Sequence, residues 1–158
     1  IHAIQKITQF LCVRPGYFPC RCLMMCHQES RRSDRLPAFY SSQSPYSPDY
    51  RLDDPADIAR IFHLQQEMGL SNGMLVCNPV PRQYEIPQEE INPVIEQAVR
   101  EAEEKGIHGK DSTPFLLDRV KQITGGRSLD TNIQLVYNNV RLASEIAKAL
   151  AALSAGEL

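Results

Sequence analysis

No stretch of the 158 residues approaches the ~18 consecutive apolar residues that a membrane-spanning helix needs. Nor is there a large excess of either charge. Seventeen Lys and Arg stand against nineteen Asp and Glu, a net charge of −2, which gives no reason to expect nucleic acid or an anionic membrane as a partner. The opening residues also lack the order of basic start, apolar run and small-residue cleavage site that marks a secretory leader. These absences favour a cytoplasmic protein without a membrane segment. The chain opens on Ile1, so a fragment or a processed product is expected.

The charge is unevenly spread. Residues 1–35 hold six Lys or Arg and two acids, or +4, and the remainder holds eleven and seventeen, or −6. Four of the five cysteines (Cys12, Cys20, Cys22, Cys26) lie in that first segment, which has neither helical nor alternating periodicity. Cys20, Cys22, Cys26 and His27 could gather a soft metal, and one reading makes residues 12–27 a metal or thiol module. The C-x-C-x3-C-H spacing is not that of the usual structural zinc sites, and an incidental cluster is the commoner reading. Residues 1–35 are therefore left out of the expected fold as a poorly ordered, Cys-rich basic segment, and the domain is placed at 36–158.

The strongest pattern is the last third. Ser112 and Thr113 read as hydroxyl caps, Pro114 suits a first helical turn, and Leu116, Leu117, Val120 and Ile123 share a face before Gly125-Gly126 stops the helix. A second helix opens near Ser128 or Asp130. Leu129, Ile133, Val136, Val140, Ala143, Ala147 and Leu150 recur every three or four residues and are expected to face the core. Its first turns carry Asn132, Gln134, Asn138 and Asn139. Several amides on an apolar helix suggest a polar ligand or a neighbouring subunit; amides on a solvated face are the commoner case.

Between these ends, LPAFYSSQSPYSPDYRLDD reads as a surface loop, a lid or an arm. Its Phe39, Tyr40, Tyr46 and Tyr50 could stack on a base or a partner, though anchoring a loop is their commoner use. Asp54-Pro55 starts a helix with Ile58, Ile61, Phe62, Gln65 and Met68 along one side and His63 beside it. A lone helix histidine is more often structural than catalytic. Residues 73–77 read as a short buried strand, with Cys77 a small hydrophobe. Asn78-Pro79-Val80-Pro81 follows, a proline-stiffened turn that could equally wall a ligand site at the strand's carboxyl end. From Pro87 to Lys105 a further helix turns Ile91, Val94, Ile95, Ala98 and Ala102 inward, with Pro93 kinking it or marking its regular start. One convincing strand among several helices implies that most of the sheet belongs to another part of the protein.

The segments LPAFY, RLDDPADIARI, GLSNGMLVCNPVP, GIHGKDSTPFLLDRV and TGGRSLDTNIQLVYNNVRLASEIAKAL resemble the C-terminal part of the pseudouridine-5′-phosphate glycosidases over about residues 36–150. The resemblance implies an α/β fold: the C-terminal part of an α/β/α domain with a central sheet, mostly helical within this chain, in a homotrimer. It implies reversible cleavage of pseudouridine 5′-phosphate to uracil and ribose 5-phosphate with Mn2+. The bond broken is carbon–carbon, and the family uses a lysine imine with the ring-opened sugar, a glutamate for proton transfer and an aspartate on the metal. All three belong to the preceding half of the domain. Lys110, Lys121 and Lys148 do not match the nucleophile, and Lys6 lies in the unmatched segment. No catalytic residue or metal ligand is therefore assigned here, and the chain alone is expected to be inactive.

Asn132, in DTNIQL, matches a substrate-contacting asparagine of the family. Asn78 and Thr113 could line the same region. The alternative function is a non-catalytic assembly or modulator piece that binds full-length subunits.

Overall fold

The computed structural model describes residues 11–12, 23–26, 35–42, 44–70 and 74–155. In chain order the elements are β1 (Leu11–Cys12), β2 (Leu23–Cys26), β3 (Tyr50–Arg51), α1 (Pro55–Glu67), β4 (Met74–Cys77), α2 (Gln88–Glu104), α3 (Ser112–Ile123) and α4 (Arg127–Ala155). The class is α/β, mostly helical. Two short 3-10 turns, Arg82–Tyr84 and Gly109–Asp111, lead into α2 and α3.

The expected strand is β4, and its run of apolar residues fits a position between neighbours: Met74, Val76 and Cys77 are each buried. The sheet order is β1-β4-β2-β3. Strand β1 runs antiparallel to β4, with Leu11 opposite Val76, and β2 runs parallel to β4, from Leu23 opposite Met74 to Cys26 opposite Cys77. Strand β3 pairs in parallel with β2 at Met25–Tyr50. The sequence shows one strand and leaves residues 1–35 out of the fold, yet the backbones of β1 and β2 sit in the sheet. Strands this short have no alternation to read; pairing with β4 defines them. Cys20, Cys22, His27 and Lys6 lie outside the described residues.

Helix α1 starts as its sequence directs. Asp54 accepts a hydrogen bond at 2.8 Å from the Ala56 amide, and Pro55 occupies the first turn, where no amide bond is forfeited. Ile58, Ala59 and Phe62 are buried, whereas Met68, expected on the same side, caps the helix and is 73% exposed. His63 lies 3.5 Å from Glu67 one turn on, a helix-surface pair. Helix α2 runs unbroken from Gln88 through Pro93, with Ile91, Ile95, Ala98 and Ala102 buried as expected. Gly106, at φ +64, closes it by letting the Ile107 amide reach back to the Ala102 carbonyl at 2.9 Å. Arg119 of α3 forks onto both oxygens of Glu101 of α2, at 2.6 and 2.9 Å. That hydrogen-bonded fork, with a third bond from Gln97, holds the Glu101 carboxyl below the usual carboxylate range. The expected caps of α3 do not form: the 3-10 turn precedes it, and the Ser112 hydroxyl instead points at the Ile107 carbonyl, 3.4 Å away.

Helix α4 is the larger correction. Its buried residues are Ser128, Thr131, Leu135, Leu142 and Ile146. Most of the stripe expected to face inward faces out: Leu129, Ile133, Val136 and Val140 are exposed, and Ala147 with them, while Ala143 is half-buried and Leu150 does pack against the core. The helix has two apolar faces, and the one that wins opens with Ser128 and Thr131, so it looks polar in the sequence. Leu135 enters a cluster with Phe39, Tyr40, Ile86, Ile91, Leu116 and Val120. Leu142 and Ile146 enter another, with Ile58, Phe62, Met74 and Val76. One helix therefore joins both halves of the core. Among the described residues no helix is long and apolar enough to cross a membrane.

Candidate active-site wall at the end of β4

The turn that follows β4 is bolted to α4 by amides. Asn78 is largely buried, and its Nδ2 donates to Asn139 Oδ1 at 3.2 Å. One residue away, Asn138 Nδ2 donates to the Pro79 carbonyl at 2.9 Å. Pro79 and Pro81 fix the backbone of the turn and bring no amides that need partners, while Val80 plugs the core. The turn is thus stiff and registered to the helix. Asn138 and Asn139, for which the sequence allows a polar ligand, a neighbouring subunit or a solvated face, fasten this turn instead; their partners lie 59 and 61 residues away, and no local pattern announces them.

A second polar row holds the loops upstream. The Thr131 hydroxyl donates to the Tyr84 carbonyl at 2.8 Å. The Ser42 amide and hydroxyl both donate to Glu85 Oε1 at 2.8 Å, and the Ile86 amide donates to the Tyr40 carbonyl at 2.9 Å. Residues 39–42, 78–86 and the first turns of α4 therefore converge. Of the four loop aromatics, Phe39 and Tyr40 are core anchors, packed edge to face at 4.6 Å, while Tyr46 and Tyr50 are exposed. Phe39 adopts φ +65, a left-handed conformation that costs roughly 1–2 kcal/mol for a residue with a side chain. Burial of its ring and the Ala38–Ser41 backbone hydrogen bond at 2.8 Å offset that cost.

Burial pushes the Tyr40 hydroxyl up to about 12, against a smaller opposing effect of its hydrogen bond with Ser128. The folded state then keeps a proton that the unfolded chain releases near pH 10. The stability this contributes is complete below pH 10 and is lost as pH rises from about 10 to 12, roughly 2–3 kcal/mol in all. Alkaline unfolding of the Tyr40→Phe variant is expected to lack that part of the slope. Equal slopes for the two proteins would contradict the placement of Tyr40.

Asn132 is half-buried on α4, immediately after Thr131. It precedes Asn139 by seven residues, two helical turns, and so shares its edge of the helix, about 10 Å further along. Asn132 thus lies on the same edge of α4 as Asn139, the residue that holds Asn78. Thr113 does not join them: it is exposed in the first turn of α3. Lys110, Lys121 and Lys148 are exposed on the surface. Among the described residues no group of three or more His, Cys, Asp or Glu side chains could hold a metal ion.

Residues 24–149 match the family model described as indigoidine synthase A like protein. The chain belongs to that family. The match begins inside the first thirty-five residues, ahead of the region expected from the sequence. The pseudouridine-5′-phosphate glycosidase of Paracoccus denitrificans is 55% identical over 118 residues, 75% of this chain and 39% of that protein. The glycosidase of the same name from Escherichia coli is 53% identical over 113 residues, 72% of this chain and 36% of that one. Among solved structures, an indigoidine synthase A-like protein from Thermotoga maritima superposes with a TM-score of 0.66 at 35% identity, covering 78% of this chain and 39% of that one. The prealnumycin C-glycosynthase, solved with ribulose 5-phosphate, shares the fold at TM-score 0.70 and 23% identity, over 84% of this chain and 42% of its own. The chain spans about two fifths of the length of the curated relatives it matches.

Proposed function

We propose that this chain is the C-terminal, substrate-facing portion of a pseudouridine-5′-phosphate glycosidase. The reaction of the whole enzyme is the reversible cleavage of the C–C glycosidic bond with uptake of one water, whose hydrogen ends on the uracil carbon and whose hydroxyl ends on the sugar carbon, releasing uracil and ribose 5-phosphate. The identity of about half the aligned residues to proteins of that name carries the reading. Within the chain, Asn132 is the residue proposed to touch substrate. A carboxamide both donates and accepts, so it can meet a nucleobase edge or a sugar hydroxyl without adding charge. The stiff Asn78–Pro81 turn, fastened by Asn138 and Asn139, positions the neighbouring wall. Manganese, the homotrimer and a cytoplasmic location belong to this reading of the whole enzyme. The described side chains do not fit a metal site, so no step through the metal is assigned to them. The reacting lysine, the glutamate and the metal-holding aspartate are proposed to lie in the part of the domain outside this chain.

The test is turnover by the purified chain. With manganese, uracil and ribose 5-phosphate, no pseudouridine 5′-phosphate is expected by chromatography and mass, while a full-length relative forms it in parallel. Manganese-dependent product from the chain alone would show that one of its own lysines is the nucleophile, and borohydride trapping would locate it.

A further inference from the structure

Helix α4 is apolar on opposite sides, and among the described residues only one side has a covering. At 100° per residue, Leu129, Ile133, Val136, Val140 and Ala147 fall within an arc of about 60°, and they extend about 27 Å along the helix. Leu129, Ile133, Val136 and Val140 are 41%, 40%, 38% and 59% exposed, and Tyr137 beside them is 60% exposed. Leu135, Leu142 and Ile146 lie opposite, in the core. No charged residue enters the outward arc: Asp130, Arg141, Glu145 and Lys148 all project to one flank of it. A solvated helix face carries charge, and a helix apolar all round is a buried one. This side of α4 is therefore built for a covering layer.

The other flank of the arc is the amide edge with Asn132 and Asn139. Whatever covers the stripe also closes over the candidate site. The length of the relatives supplies the occupant, since in the Thermotoga maritima structure the same fold occupies 39% of a longer chain. We infer that the outward face of α4 seats the remaining portion of the family domain, presented as an apolar layer by a longer indigoidine synthase A-like chain. α4 then becomes the inner helix between the two portions, with Asn132 at their boundary. The inference rests on family membership and on burial, and it is independent of the glycosidase reading.

The test compares Val136→Asp/Val140→Asp in two settings. One is this chain alone. The other is a hybrid in which the matched portion of the Paracoccus denitrificans relative is replaced by the corresponding residues of this chain. In the chain alone both positions face water, so helicity and melting temperature are expected to hold and non-specific association to fall. In the hybrid the same carboxylates are buried without partners, and the melting temperature is expected to drop by about 10 °C or more. An unchanged hybrid would overturn the proposal, as would an unsubstituted hybrid that fails to fold. A dimer of the chain alone that the substitutions split would make a second copy the occupant instead. Because the readout is melting and not turnover, failure here is distinct from failure of the proposed reaction.

Discussion

Leu142→Ala will lower the unfolding free energy of the chain by about 2–5 kcal/mol, whereas Val140→Ala will change it by no more than about 0.5 kcal/mol. The two positions are two residues apart on one helix, similar in chemistry and opposite in surroundings. Leu142 is 3% exposed and packs in the cluster formed by Ile58, Ala59, Phe62, Met74, Val76 and Ile146, where α1 lies along α4. Truncating it removes buried methyl groups and leaves a cavity that β4 and α1 can close only in part. Val140 is 59% exposed and has no such surroundings to lose. Urea unfolding of the three proteins decides the matter, read at the midpoint with an unchanged slope. The reverse order of effects would mean that α4 is turned as its most regular apolar stripe suggests, and the fold would have to be redrawn.

That contrast also marks where the sequence can be read and where it cannot. Local chemistry was sufficient for α1, whose Asp54-Pro55 start caps as written, and for α2, whose four buried residues all lie on the face that periodicity selects. It was sufficient for β4, because four apolar residues between turn signals have few other uses. It failed for α4. Two faces of that helix have nearly equal claims to the core, and the choice between them is made by α1, β4 and the loop at Tyr84, all distant in sequence. Strands β1, β2 and β3 were illegible for the same reason, being only two to four residues long and defined by whom they pair with. The same holds for the candidate site. The Asn78–Pro81 turn could be suspected from its position after a strand, but the helix that holds it could not. Asn132 itself was singled out by family resemblance, and the structure adds its place on the Asn139 edge of α4.

In a folded hybrid of this chain with the remainder of the Paracoccus denitrificans glycosidase, Asn132→Ala will lower kcat/KM for pseudouridine 5′-phosphate by roughly 10–100-fold. The physical reason is the cost of an unmet partner. A carboxamide removed from a closed site leaves the substrate's own donor or acceptor buried with nothing to bond, a loss of about 1–3 kcal/mol at the transition state. Within the fold, Asn132 is only half-buried and alanine favours the helix, which limits the structural cost of the substitution. Melting temperature should therefore stay close to that of the parent hybrid, which separates a lost contact from a lost fold. Steady-state kinetics of the hybrid and its Asn132→Ala variant, with melting curves of both, is the direct test that this chain forms the substrate-facing wall of a glycosidase. The account predicts an active hybrid and a variant that melts alike but turns over 10–100-fold less efficiently. A variant within about twofold of the parent, or a correctly folded hybrid with no turnover, would contradict it.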